Sequence, residues 1–293
     1  MTGKPFKTYS EQLQLLKNRG LEINDEAFAL HILKHHNYYR LSAYRFPFQD
    51  TPDSFRQGTR FDDLWDLYCF DRILRHLVSE ACKAVELSVR ARWAYVLSQS
   101  HGPQAYENVS LFRPQNLHTK NLYTLDRELS RSTEVFVSHY ENQYGMTRPP
   151  IWAVSEIMSF GLLSRFYNTI KHDKDKKAIA ATYDLSIGGL KSFLEHAVYL
   201  RNLCAHHSRL WNRRFTITVA LPTKHPAGLK SSLHPAEDRR IYNSLVLLGF
   251  MLGVVEPQSD WRTRLRSHLE TLNGPSHSEM GFPHDWRTRD FWT

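Results

Sequence analysis

Cysteine is scarce. Cys69, Cys82 and Cys204 are the only three in 293 residues, an odd number at wide spacing. That argues against a disulfide framework, points to a reducing cytoplasm, and leaves no pair at zinc-finger spacing. Apolar runs are short as well. No stretch of about 18 apolar residues exists, so no membrane span is expected; Leu245–Val255 is too short and reads as a buried helix. The opening Met-Thr-Gly-Lys-Pro-Phe-Lys has no apolar run of the signal-peptide kind. Also missing are a Walker loop, a Gly-rich dinucleotide fingerprint, Gly-x-Ser-x-Gly and His-Glu-x-x-His. Sixteen histidines are present, but His35-His36, His206-His207, His225 and His234 lack metal-ligand spacing, so neither a metal nor a cofactor is expected.

The remaining composition is that of a folded chain, 41% hydrophobic and 13% aromatic. Its net charge is +8, which favours an anionic partner. The charge is concentrated: from Arg201 to Arg240 eight Lys/Arg face two acids, Glu237 and Asp238, so six of the eight net charges sit there with four histidines.

Apolar periodicity is helical nearly throughout, which predicts an all-α fold. Helices are expected over Ser10–Lys17 with Gly20 closing it, from Asn24 or Asp25 to about His36, and over Phe61–Ser100 up to Gly102-Pro103. Others are expected over Leu117–Tyr140, Ile151–Ile170, Leu190–Arg209, Arg239–Val255 and Trp261–Leu272. Lys171–Lys177 reads as a solvated turn, and Phe215–Ala220 alternates as a short strand would. Three parts are expected: an N-terminal aromatic and basic helical segment (1–60), a helical core (61–273), and an irregular tail (274–293) docking as a strap.

One local absence is the most informative. Residues 201–214, Arg-Asn-Leu-Cys-Ala-His-His-Ser-Arg-Leu-Trp-Asn-Arg-Arg, hold four arginines, two adjacent histidines and no carboxylate. Imidazoles that move protons beside guanidiniums that hold phosphate suggest work on RNA without a metal. RNA cleavage through the 2′-OH needs a base for the attacking oxygen and an acid for the leaving one, and imidazoles with ordinary pKa values near 6.5 suit both. On one straight helix Asn202 and His206 are four apart and share a face, so Asn202 can orient the His206 ring. Arg201 lies roughly 140° around the axis from His206. Either the arginine curls, the helix distorts, or two copies face each other. Leu190–Arg209 reads equally as a core helix, with Phe193, Leu194, Ala197, Leu200 and Leu203 buried and a solvated basic end.

Here the sequence resembles a known family. Leu200 to Arg213 is similar to the signature of the Abi-like family (AbiD/AbiF type), abortive-infection proteins of bacteria. Three further blocks resemble it in order: Asn37-Tyr38-Tyr39-Arg40-Leu41-Ser42-Ala43-Tyr44; the central helices with Phe61 to Asp71, Arg72, Val85-Glu86 and Arg90-Ala91; and Pro149-Pro150-Ile151-Trp152 with Glu156 and Ser159 to Ser164. The resemblance covers roughly residues 5–250. It implies a HEPN-like helical bundle with an added N-terminal segment and a C-terminal extension. It further implies metal-independent RNA cleavage from a composite homodimer site carrying Arg-x4-His, a phage-defence or toxin–antitoxin role, and association with a structured non-coding RNA.

On that reading Arg201 clamps the scissile phosphate, Asn202 positions the acid–base His206, and His207 is the alternative proton carrier. Arg209, Arg213 and Arg214 contact RNA backbone, flanked by Trp211 and Asn212. In the N-terminal block Tyr38, Tyr39 and Tyr44 stack bases while Arg40 and Arg45 hold phosphates; the same residues would otherwise form an aromatic mini-core. Glu86 and Arg90 are four apart and read as a structural pair. Glu156, in an apolar helix, is expected to pair with an arginine and orient it, Arg201 being the candidate. The rival reading is a non-catalytic protein that holds a partner RNA.

Overall fold

The computed structural model describes residues 5–223, 226 and 228–293; Lys224 and His225 of the basic region lie outside the described residues. The first helix, α1 (Tyr9–Asn18), opens on a capping box, Thr8 bonding Glu11 N–H and Glu11 returning to Thr8. It packs on α2 (Glu26–His35), capped by Asp25, and the short α3 (Tyr38–Ser42) follows, its start capped by Asn37. A two-stranded hairpin, β1 (Gln49–Thr51) with β2 (Ser54–Phe55), is the one sheet among the described residues. The architecture is all-α, with thirteen α-helices among the described residues.

The axis of the molecule is α4 (Phe61–His101), 41 residues long, or about 60 Å at the usual rise. Leu67, Phe70, Leu74, Val78, Ala81, Val85, Val89 and Trp93 recur at three- and four-residue spacing and are buried, which gives the helix a continuous apolar seam. Asp63 caps its start by accepting the Arg60 N–H at 2.8 Å, and Gly102 at φ 85° ends it. Around it lie α5 (Gln115–Leu129), α6 (Val135–Tyr144), α7 (Ile151–Ile157), α8 (Phe160–Thr169), α9 (Asp173–Ala181), α10 (Ile187–Ala205), α11 (Leu229–Ser232), α12 (Ile241–Val255) and α13 (Trp261–Glu270). Helices α7, α9, α10, α12 and α13 pack directly on α4. No described helix is long and apolar enough to cross a membrane.

Several expectations change. The single helix read over Leu117–Tyr140 is two, broken at 130–134, and Ile151–Ile170 splits where Ser159 caps α8 through the Leu162 N–H. The solvated turn expected at Lys171–Lys177 is mostly α9, which buries Asp175, Ile179 and Ala180; Asp175 meets His101 Nε2 at 2.8 Å. Phe215–Ala220 is no strand: among the described residues no strand lies beside it to pair with. The His196 ring takes the Ile217 carbonyl, Ser192 Oγ takes the Ala220 N–H, and Phe215 N–H bonds the Arg239 carbonyl. The tail docks as a strap. Met280, Phe282, Trp286 and Trp292 are buried, and Trp292 Nε1 donates to Tyr242 Oη at 3.3 Å. Gly249 makes room for it, since a Cβ there would sit 2.3 Å from the Phe291 ring.

Candidate active-site cleft

Helix α10 starts at Ser186, whose hydroxyl caps the Gly189 N–H at 2.9 Å, and buries Leu190, Phe193, Leu194, Ala197 and Leu200. It stops at Ala205, four residues earlier than periodicity suggests. The cause is a Schellman turn: Ser208 N–H bonds the Leu203 carbonyl at 2.8 Å and His207 N–H bonds the Cys204 carbonyl at 3.0 Å. His206 is the helix cap and His207 stands in the left-handed region at φ 53°, the place usually given to glycine. Both histidines are exposed. His206 keeps the last helical bond, its N–H to the Asn202 carbonyl at 3.0 Å, but the Asn202 side chain is taken by Arg201 and not by the His206 ring.

The left-handed backbone costs a non-glycine residue about 1 kcal/mol. His207→Gly is therefore expected to raise stability by about that amount in urea titrations. A loss of stability, as for glycine in an ordinary loop, would contradict this account of the turn.

The turn is laced to α3 from both sides. Arg40 Nη1 donates to the His207 carbonyl at 2.8 Å, and Arg209 donates to the Ala43 carbonyl. Between them opens a cleft of about 550 Å³ lined by Asn37, Tyr39, Arg40, His206, His207 and Arg213, among others, and none of its lining residues is acidic. Two blocks more than 160 residues apart in sequence thus face each other. Tyr39 is 69% exposed, and Arg40 is exposed as well, its Nη1 engaged by the His207 carbonyl. Arg214 is exposed beyond them.

Other residues expected at the site serve the framework instead. Tyr44 is buried, its hydroxyl donating to Asp71 at 2.6 Å. Trp211 is fully buried, with its ring in the core. Tyr38 is half-buried, and its hydroxyl accepts from Arg19 at 3.0 Å and Arg45 at 3.5 Å. Asn212 donates to Glu279 at 2.9 Å and accepts from Arg240. Arg209 is half-buried beside Phe46 and Trp211, and burial lowers its pKa. Neither the Tyr44 ring, at the floor of the cleft, nor the Trp211 ring has surface on which a base could stack, and the aromatic mini-core describes Tyr38 and Tyr44.

Arg201 is not among the residues lining this cleft. Its Nε lies 3.8 Å from Glu86 Oε2 on α4, and its Nη1 donates to Asn202 Oδ1 at 3.2 Å. Asn202 thus orients Arg201, while its carbonyl accepts the His206 main-chain N–H at 3.0 Å. Glu86 is buried and also pairs with Arg90, the structural pair expected from their spacing. The carboxylate beside Arg201 is therefore Glu86 and not Glu156. Glu156 is exposed, and only its carbonyl is engaged, by Arg90 Nη1 at 2.9 Å. Glu86→Gln is expected to cost about 1–3 kcal/mol, since two guanidiniums lose their anion, whereas Glu156→Gln should stay within about 0.5 kcal/mol. Equal costs in parallel denaturant titrations would restore Glu156 to the orienting role.

Sequence reasoning missed Asp71. This fully buried carboxylate accepts Trp211 N–H at 2.7 Å and Leu210 N–H at 3.1 Å, along with the Tyr44 hydroxyl and Arg75. Only its place in the Phe61–Asp71 block hinted at a role. Among the described residues no three His, Cys, Asp or Glu side chains converge as a metal site would require.

The family model described as Abi-like protein matches residues 31–212. No curated protein and no solved structure matches the chain. The matched span begins within α2, takes in every lining residue of the cleft but Arg213, and closes at Asn212 just after the histidine turn, well over half of the sequence: the chain belongs to the Abi-like protein family.

Proposed function

We propose that the protein is a HEPN-type endoribonuclease that cleaves RNA without a metal as part of abortive infection. Family membership supports the abortive-infection role. The observation that carries the chemistry is the acid-free cleft, where His206 and His207 stand exposed opposite Tyr39 and Arg40. One imidazole takes the proton of a ribose 2′-OH, whose oxygen attacks the adjacent phosphorus. The other gives a proton to the departing 5′ oxygen, leaving a 2′,3′-cyclic phosphate and a 5′-hydroxyl. Arg40 and Arg213 hold backbone phosphate and Tyr39 stacks a base. Arg201, outside this cleft's lining, reaches a scissile phosphate when a second copy faces the first, which favours a homodimer with a composite site. A structured non-coding RNA fits the same basic face.

The test is a labelled single-stranded RNA incubated with the protein in excess EDTA. Cyclic-phosphate ends are expected, and a single 2′-deoxy substitution at the cleaved position should abolish them. Salt-sensitive binding with intact RNA would instead support the non-catalytic holder of a partner RNA.

A further inference from the structure

We infer that the buried carboxylate of Asp71 is a positioning residue that fixes both walls of the cleft against each other. The inference rests on the nuclease reading above for its catalytic consequence, but not for its structural one.

One wall is the histidine turn. Leu210 and Trp211 follow His207 by three and four residues, are fully buried, and donate both main-chain N–H groups to Asp71. Without that carboxylate two buried amides would have no partner. The chain from Ala205 to Trp211 is thus pinned at its start by the Schellman bonds and at its end by Asp71. The other wall is the α3 segment carrying Tyr39 and Arg40. It ends in Tyr44, whose hydroxyl bonds the same carboxylate. Arg75, one turn along α4, supplies the balancing charge. Two oxygens therefore take four donors drawn from three separate stretches of chain.

The arrangement explains why the crossed arginine bonds, Arg40 to the His207 carbonyl and Arg209 to the Ala43 carbonyl, can form at all. Both need the walls held at a fixed separation, and those two bonds are exposed or only half-buried. Asp71 provides that separation from beneath, out of reach of water. A carboxylate so placed touches no substrate. It acts by holding the imidazoles and the stacking tyrosine at one spacing, the condition on which proximity effects depend.

Asp71→Asn and the milder Tyr44→Phe test this in the full-length protein. Hydrogen exchange should quicken about tenfold or more at residues 206–211, with α4 and α12 amides unchanged, and Tyr44→Phe should move the same amides less. Cleavage should lose kcat about tenfold or more with little change in KM. Uniform acceleration of exchange across the molecule would make Asp71 an ordinary core group and overturn the inference. Local loosening with undiminished kcat would overturn it too, since the walls would then need no anchor for catalysis. If the unaltered protein cleaves nothing, selective exchange at 206–211 still supports the clamp while the nuclease reading falls. Should Asp71→Asn fail to fold, Tyr44→Phe alone decides by the same two readouts.

Discussion

His206→Ala is expected to lower RNA cleavage about a thousandfold while RNA affinity and fold persist. Positioned acid–base groups contribute roughly 10²- to 10⁴-fold, and among the described residues the imidazoles lining the cleft are those of His206 and His207. The imidazole is exposed on the cleft, so its removal leaves no cavity. The main-chain bond from His206 N–H to the Asn202 carbonyl survives in alanine. Arg40, Arg213 and Tyr39 remain to bind RNA. His207→Ala separates the two roles. If the histidines are acid and base of one reaction, each single variant falls steeply and the double variant falls little further, because groups that act as a unit are not additive. If only one carries protons, its partner's alanine variant keeps most of the rate. His206→Ala cleaving normally but failing to bind would reverse the assignment.

How much of this was legible follows from the range of the forces involved. The helices were, because burial repeats every three to four residues: α4 and α12 follow the periodicity to within two residues. Asp25 as a cap was visible for the same local reason. The end of α10 was not. No glycine marks it, and Leu203 and Leu210 continue an apolar rhythm across a turn whose left-handed residue is a histidine. The geometric objection to Arg201 and His206 sharing one site on a straight helix was sound: Arg201 turns to Glu86 on α4 while His206 and His207 line the cleft. The partners of Arg201 and of the turn were invisible. Glu86 and Asp71 lie 115 and about 140 positions away, and only tertiary packing brings them in. Polarity also misled at α9, where Asp and Lys read as solvent-facing although Asp175 turns inward to His101. Tyr44 and Trp211 were read as RNA contacts from their residue type, which does not distinguish an aromatic at a rim from one in a core.

Acid is expected to destabilise the protein steeply below pH 6.5, through histidines held neutral in its interior. His196 is the clearest. It is buried, its Nδ1 donating to the Ile217 carbonyl at 2.8 Å and its Nε2 accepting from Ser244 Oγ at 2.7 Å, and burial lowers its pKa to about 4. Above pH 6.5 the ring is neutral whether the chain is folded or not, and stability is full. Between pH 6.5 and about 4 the unfolded chain takes a proton that the folded one refuses, which costs about 1.4 kcal/mol per pH unit for that ring. The loss reaches roughly 3 kcal/mol near pH 4 and then stops, because both states are protonated. His118, His268 and His277, each bonded to a main-chain carbonyl, are shifted in the same direction by burial and steepen the fall. Urea titrations from pH 7.5 to 4.5 measure it. Gln in place of His196 keeps a donor for the Ile217 carbonyl and an acceptor for Ser244 but does not titrate. It should flatten the pH dependence by that ring's share, and because every other titrating group is common to both proteins, the difference isolates His196. A curve parallel to the unaltered protein's would show that His196 protonates freely in the folded state, and the neutral ring bridging α10 to α12 would have to be abandoned.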